Sequence, residues 1–337
     1  MVLKERIEAF VKLKERIVNL QETEFMHLAS KIENSNNWFT PNETKKALDG
    51  IGYMLEEEKL RNWLSKYFFQ DQAGPKNVGV LMAGNIPAVG FHDFMCVLLS
   101  GHRVHAKLSS SDGVLIRWLA GELVGIEPRF SENIIFEEML KGKDAYIATG
   151  SDNSARYFEY YFGKYPCIIR KNRTSIGVLN GMESDHDYKS LAEDIFTYFG
   201  LGCRNVSKIY LKNRDQLPAF MDAIQSYSEV GNHHKYRNNY DYNKSIYLIN
   251  QVDHLDNGFL LVKESEELVS PISVLFYEIY NDFADLTEKI TGKADSIQCM
   301  VSKEAWFPNS LPFGKAQYPE VNDYADQVDT LAFLTSL

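Results

Sequence analysis

The stretch KNVGVLMAGNIP, residues 76–87, decides how the rest of the chain is read. Val78, Val80, Leu81 and Met82 make a short β-rich run, and Gly84, Asn85 and Pro87 break it at once, so a strand ends in a turn and a helix follows. The same rhythm recurs downstream. Strands are expected at 78–82, 103–107, 134–136, 145–149, 167–170 and 175–179, with helices at 88–99, 112–123 and 153–162 between them. Alternation of this kind builds an open, largely parallel sheet wrapped by helices.

Upstream, the apolar positions of residues 1–34 keep helical spacing, and Thr40 with Pro41 opens a second helix that runs to about residue 66. These two helices read as a lead-in packed on a later core. After residue 183 the rhythm restarts, with helices at 188–199, 215–227 and 283–291 and strands at 208–211, 245–249, 260–262, 273–279 and 296–301. The tail from about 306 reads as a long ordered loop. The expected organisation is an N-terminal helical region (1–72), a nucleotide-binding domain of Rossmann type (73–183), a second α/β domain (184–310) and a C-terminal tail (311–337).

A chain of 337 residues with 45% apolar and 24% charged residues can bury two cores and is globular. A net charge of −10 without a concentrated basic face argues against a nucleic-acid partner. The longest apolar runs fall short of a membrane span, and the charged N-terminal segment is no secretory signal, so a cytoplasmic location is expected. Cys96, Cys167, Cys203 and Cys299 lie far apart without metal-ligand spacing, which leaves no expected metal site and no disulfide framework.

Four segments place chemistry at strand or helix ends. Asn85 follows the first strand, where its amide could donate to an oxyanion or simply turn the chain ahead of Pro87. Lys107 and Ser109 in HRVHAKLSSSD gather a cation and hydroxyls that suit a ribose or phosphate, or serve as a strand end and a helix cap. Gly150 and Ser151 in DAYIATGSDNSARYF offer an anion the start of a helix, or form a plain capped turn. Cys203 in GLGCRNVSKIYL follows Gly200 and Gly202 and stands beside Arg204, outside any apolar run, in contrast to the other three cysteines, which read as core filler.

In this order the segments GNIPAV, HAKLSS, ATGSDNSARYF and GLGCRNVSKIYL resemble the aldehyde dehydrogenase superfamily, and most closely the LuxC-type acyl-CoA reductases. The resemblance covers roughly residues 75–300, and the tail also looks like the closing segment of that group. It implies an aldehyde dehydrogenase-like α/β fold with a Rossmann-like cofactor domain and a catalytic domain. Cys203 would form an acyl thioester, Asn85 and the Cys203 N–H would hold the oxyanion, Lys107 would contact the cofactor ribose, and Gly150 and Ser151 would lie near the pyrophosphate or nicotinamide. NADPH or NADH would be the cofactor and an acyl-CoA the substrate.

One departure is informative. The region where hydrolytic members place a glutamate that activates water reads CIIRKNRTSIGVLNG here, without a carboxylate. Such a chain is suited to exchanging its thioester with a thiol, and Arg170, Lys171 and Arg173 would suit the phosphates of a nucleotide or of coenzyme A. The chain is also shorter than typical members, so a reduced oligomerisation arm and substrate tunnel are expected. The leading expectation is aldehyde-forming acyl-CoA reduction. Acyl transfer from the same cysteine without redox, and a non-catalytic subunit beside an acyl-transferring or acyl-activating partner, are the alternatives; a homo-oligomer fits any of them.

Overall fold

The computed structural model describes residues 1–69, 74–150 and 152–337. Ser151 lies outside the described residues. The chain forms two compact units: Met1–Asn172 with Pro319–Leu337, and Arg173–Tyr318.

The first unit opens with α1 (Leu3–Val18), α2 (Glu22–Ser35), α3 (Pro41–Met54) and α4 (Glu57–Leu64), followed by β1 (Asn77–Leu81), α5 (Phe91–Leu99), β2 (Arg103–Lys107), α6 (Val114–Ile126), β3 (Ile134–Phe136), β4 (Ala145–Thr149), α7 (Asp152–Phe162) and β5 (Cys167–Arg170). The lead-in is therefore four helices rather than two. Asn19 closes α1 and Leu55 closes α3, breaks that the apolar spacing alone does not mark. The Thr40 side chain accepts the Glu43 N–H and Pro41 stands in the first turn of α3, as expected of a helix start.

The five strands are parallel in the order β3-β2-β1-β4-β5. The chain runs outward through β2 and β3, then crosses to the other side of β1, so the strand order reverses between β1 and β4. In open parallel sheets such a reversal is where ligands bind, outside the C-terminal ends of the strands. Nearly all of α5 is buried, and Phe91 on it packs edge-on to Phe10 of α1 with ring centroids 6.4 Å apart.

The second unit holds β6 (Thr174–Val178), α8 (Asp185–Phe196), β7 (Val206–Leu211), α9 (Gln216–Ala223), α10 (His234–Ile249), β8 (Leu255–Asp256), β9 (Leu261–Glu264), β10 (Val274–Ile279), α11 (Phe283–Thr291), β11 (Ile297–Ser302) and β12 (Leu311–Pro312). The chain then returns to the first unit, which it closes with α12 (Thr330–Thr335). The second sheet runs β12-β11-β6-β7-β10-β9-β8 and is parallel except for the β8–β9 pair. Ile176, Val178, Tyr210 and Leu286 lie at the centre of its core.

Three expectations change. The units divide after Asn172 rather than near 183, because β6 pairs with β7 and β11 and so belongs to the second sheet. The strand expected at 245–249 is the last part of α10. Its β-branched residues form too short a run to override a helix whose buried face, Tyr236, Tyr240, Asn243 and Tyr247, keeps helical spacing throughout. The tail carries α12 and is anchored within the first unit, with His92 bonded through Nε2 to the Val321 carbonyl at 2.8 Å and Trp63 donating to the Tyr324 hydroxyl at 2.9 Å.

Candidate active site

Cys203 is at the second position of a four-residue turn, 202–205, in the second unit. Asn205 closes this turn twice: its N–H donates to the Gly202 carbonyl at 3.0 Å, and its Oδ1 accepts the Gly202 N–H at 2.8 Å. The Asn205 side chain is buried, and its Nδ2 reaches the carbonyls of Asp194, Ile195 and Thr197 at 3.0, 3.3 and 2.7 Å. Two of these are end carbonyls of α8 that have no partner inside the helix. One amide thus caps a helix and sets the thiol-bearing turn.

The chain enters the turn through Tyr198, Phe199 and Gly200, with φ of 54, 56 and 78°. Two consecutive non-glycine residues in the left-handed region cost on the order of 1 kcal/mol each and persist only where the surroundings fix them. On the far side, the Ser175 hydroxyl of β6 donates to the Cys203 carbonyl at 3.0 Å and accepts the Cys299 N–H at 3.2 Å. Arg204, expected as a charge beside the thiol, sends its Nε to the Ala316 carbonyl. Cys299, expected as filler, is half-buried with its Sγ 3.0 Å from the Ser175 hydroxyl, whereas Cys96 is fully buried and burial pushes its thiol well up.

Replacing Asn205 with alanine removes both the turn closure and the cap of α8. The expected cost is about 3 kcal/mol, from buried groups left without partners, readable as a lower urea midpoint at unchanged slope. Asp194 gives a second expectation. It is fully buried and accepts N–H bonds from Gly314 at 2.7 Å and Ala316 at 2.9 Å, yet burial outweighs both and pushes its carboxyl up to about 7. A carboxyl raised from 3.8 in the unfolded chain contributes its full stability below that value and loses it as pH rises toward 7. Urea melts between pH 4 and 7.5 should show wild type losing on the order of 3 kcal/mol relative to Asp194→Asn.

In the first unit, Asn85, Lys107, Ser109 and Gly150 come to one edge of the sheet. Leu81 and Lys107 pair at the ends of β1 and β2, and the Met82 N–H donates to the Lys107 carbonyl at 3.0 Å. Asn85 is exposed on the turn after β1. The Lys107 ammonium donates to the Glu138 carbonyl at 2.6 Å, which holds it at the edge beside β3. Ser109 accepts the Ser111 N–H at 3.2 Å and packs so tightly on Gly84 that a Cβ there would meet its Oγ at 2.4 Å. Gly150 follows β4; a Cβ on it would come within 2.8 Å of Phe158 and 2.9 Å of Ser154, so its own helix requires the glycine.

Arg170 does not join them. Its side chain is buried, Nη1 pairs with Asp93 of α5, and Nη2 donates to the Thr330 hydroxyl at 2.7 Å. The guanidinium ties β5 to α5 and α12, which corrects the expectation that it meets phosphates. Sequence reasoning missed Asn205 and Asp112. The first stood in plain view two residues past the cysteine; the second reads as the first residue of the helix expected at 112–123.

Among the described residues no helix is long and apolar enough to cross a membrane, and no cluster of three or more His, Cys, Asp or Glu suits a metal. The acyl-CoA reductase (LuxC) family profile matches residues 6–224. A long-chain acyl-protein thioester reductase of Aliivibrio fischeri is 24% identical over 204 residues, 54% of this chain and 42% of that protein. The chain thus spans less than half the length of the curated relative it matches. In fold it is similar to aldehyde dehydrogenase 21 of Physcomitrella patens, solved with succinate (TM-score 0.69, 13% identity, 100% of this chain and 84% of that one). It is also similar to an aldehyde dehydrogenase of Mycobacterium tuberculosis complexed with NAD+ (TM-score 0.65, 12% identity, 90% of this chain and 73% of that one). The fold is that of aldehyde dehydrogenases.

Proposed function

This chain belongs to the acyl-CoA reductase (LuxC) family, and on that premise we propose that it reduces an acyl thioester to an aldehyde, with Cys203 as the acyl acceptor and NADPH or NADH as reductant. The observation that carries this reading is the turn closed twice by Asn205, which presents one thiol on a fixed backbone. Cys203 Sγ attacks the acyl carbonyl, negative charge gathers on the carbonyl oxygen, and collapse expels the donor thiol, leaving the acyl group on the chain. The Asn85 amide is the proposed donor to that oxygen. The donor thiol is coenzyme A or an acyl-carrying partner protein, the latter being the substrate that the name of the Aliivibrio relative states for that protein.

The first-unit sheet edge fits a dinucleotide: strand order reverses between β1 and β4, and Lys107 brings a cation to the edge. Lys107 would hold a ribose, with Ser109, Gly150 and Ser151 near the pyrophosphate. When bound, the dinucleotide supplies the hydride that turns the thioester into aldehyde. Residues 167–181 carry no carboxylate to activate water, so the acyl group waits on Cys203 for reductant or thiol. The M. tuberculosis neighbour with NAD+ supports the cofactor class.

Incubation with acyl-CoA should add one acyl mass to the intact protein, and none to Cys203→Ala. An adduct that survives the substitution contradicts the assignment. A second reading, acyl transfer without redox, draws on Lys107 already donating to Glu138 and on Ser154 and Phe158 packing over Gly150. Acylation intact with no binding of NADPH or NADH in direct titration would favour it.

A further inference from the structure

Asp112 stands two residues before α6, close to where an aspartate ordinarily caps a helix. Here it does not: Gly113 is the residue at the helix start, and no side chain caps it. The Asp112 carboxyl instead crosses to the neighbouring loop, where Oδ2 accepts the Ala88 N–H at 2.8 Å. Asp112 is 4% exposed, and its Oδ1 is buried without a hydrogen-bond partner among the described residues. Burial pushes this carboxyl up to about 7.

Ala88 sits at φ 56°, a left-handed conformation that a side chain disfavours. Its N–H is fixed by a carboxyl from a different loop, and the same two loops interlock where Gly84 meets Ser109. Residues 85–87 lie between these two fixed points, and Asn85 is exposed on them.

We propose that Asp112 is a positioning residue for Asn85: by holding the Ala88 N–H it selects the left-handed turn that aims the Asn85 amide. The proposal rests on the function assigned above, in which Asn85 serves the acylation of Cys203. It predicts coupling between two residues that lie on different loops. Asparagine at 112 is the neutral isostere and keeps an oxygen for Ala88; alanine does not.

The test uses the full chain and four variants, Asp112→Ala, Asp112→Asn, Asn85→Ala and Asp112→Ala with Asn85→Ala. Acylation of Cys203 by acyl-CoA is timed by intact mass, and amide exchange of residues 82–91 is followed in parallel. Asp112→Ala should slow acylation by about 100-fold, as a misplaced catalytic group does, and Asp112→Asn should restore most of the rate. In the Asn85→Ala background, Asp112→Ala should cost nothing more. Exchange at Ala88 should rise in Asp112→Ala and stay low in Asp112→Asn. Losses that multiply in the double variant, or unchanged exchange in Asp112→Ala, overturn the proposal. A wild type that takes no acyl group overturns the function assigned above instead, and the exchange comparison then decides alone whether Asp112 holds the turn.

Discussion

Cys203→Ala is expected to lower aldehyde formation by about 10⁴-fold or more while leaving the fold intact. Removal of a covalent nucleophile forfeits the entire two-step route, and only what binding and the oxyanion donor supply to the uncatalysed reaction remains. The fold should survive because the turn is set by other groups. Asn205 closes it, and Ser175 bonds the Cys203 carbonyl, which alanine keeps. Cys203 is half-buried, so the substitution should change the unfolding free energy, read from a urea melt, by less than about 0.5 kcal/mol. A steady-state assay with acyl-CoA and NADPH, paired with a urea melt, separates chemistry from folding. Residual activity within tenfold of wild type would move the acyl acceptor elsewhere.

Arg170→Ala should have the largest effect on stability. It leaves the Asp93 carboxylate in a buried site with its partner gone, and frees the Thr330 hydroxyl of α12. Breaking a buried ion pair from one side costs about 3–5 kcal/mol. That is a large part of the total stability of an ordinary domain. Arg170→Met combined with Asp93→Leu should recover most of the loss, because two apolar groups leave no unpaired charge. Thermal melts of the single and double variants test this; a single variant as stable as wild type would mean that the pair is solvated.

These two residues also show how far sequence reaches. The strands 103–107, 134–136, 145–149 and 167–170 coincide with β2 to β5 because each is a short β-rich run set off from its neighbouring segments. The cysteine turn was legible from its glycines, and the sheet-edge residues from their places after strands. Arg170 was not legible. Its basic neighbours Lys171 and Arg173 suggest a phosphate site, and only the fold brings Asp93, 77 residues away in sequence, against its guanidinium. The sheet to which β6 belongs is hidden for the same reason: a strand's sequence names a strand and not its neighbours. Asp112 carries the signature of a helix cap, and what it does instead depends on Ala88 in another loop. The segment 245–249 failed on local propensity, which a sixteen-residue helix with a buried tyrosine face overrides.

The central claim, that an acyl group on Cys203 is reduced where it sits, is tested most directly by a chase. Wild-type protein is acylated with acyl-CoA, freed of excess by gel filtration, and mixed with NADPH or NADH while intact mass and aldehyde are followed together. One equivalent of aldehyde should appear as the acyl mass disappears and the Cys203 thiol returns. Release of free acid, or an acyl mass that persists with both nucleotides and leaves only when thiol is added, would contradict reduction.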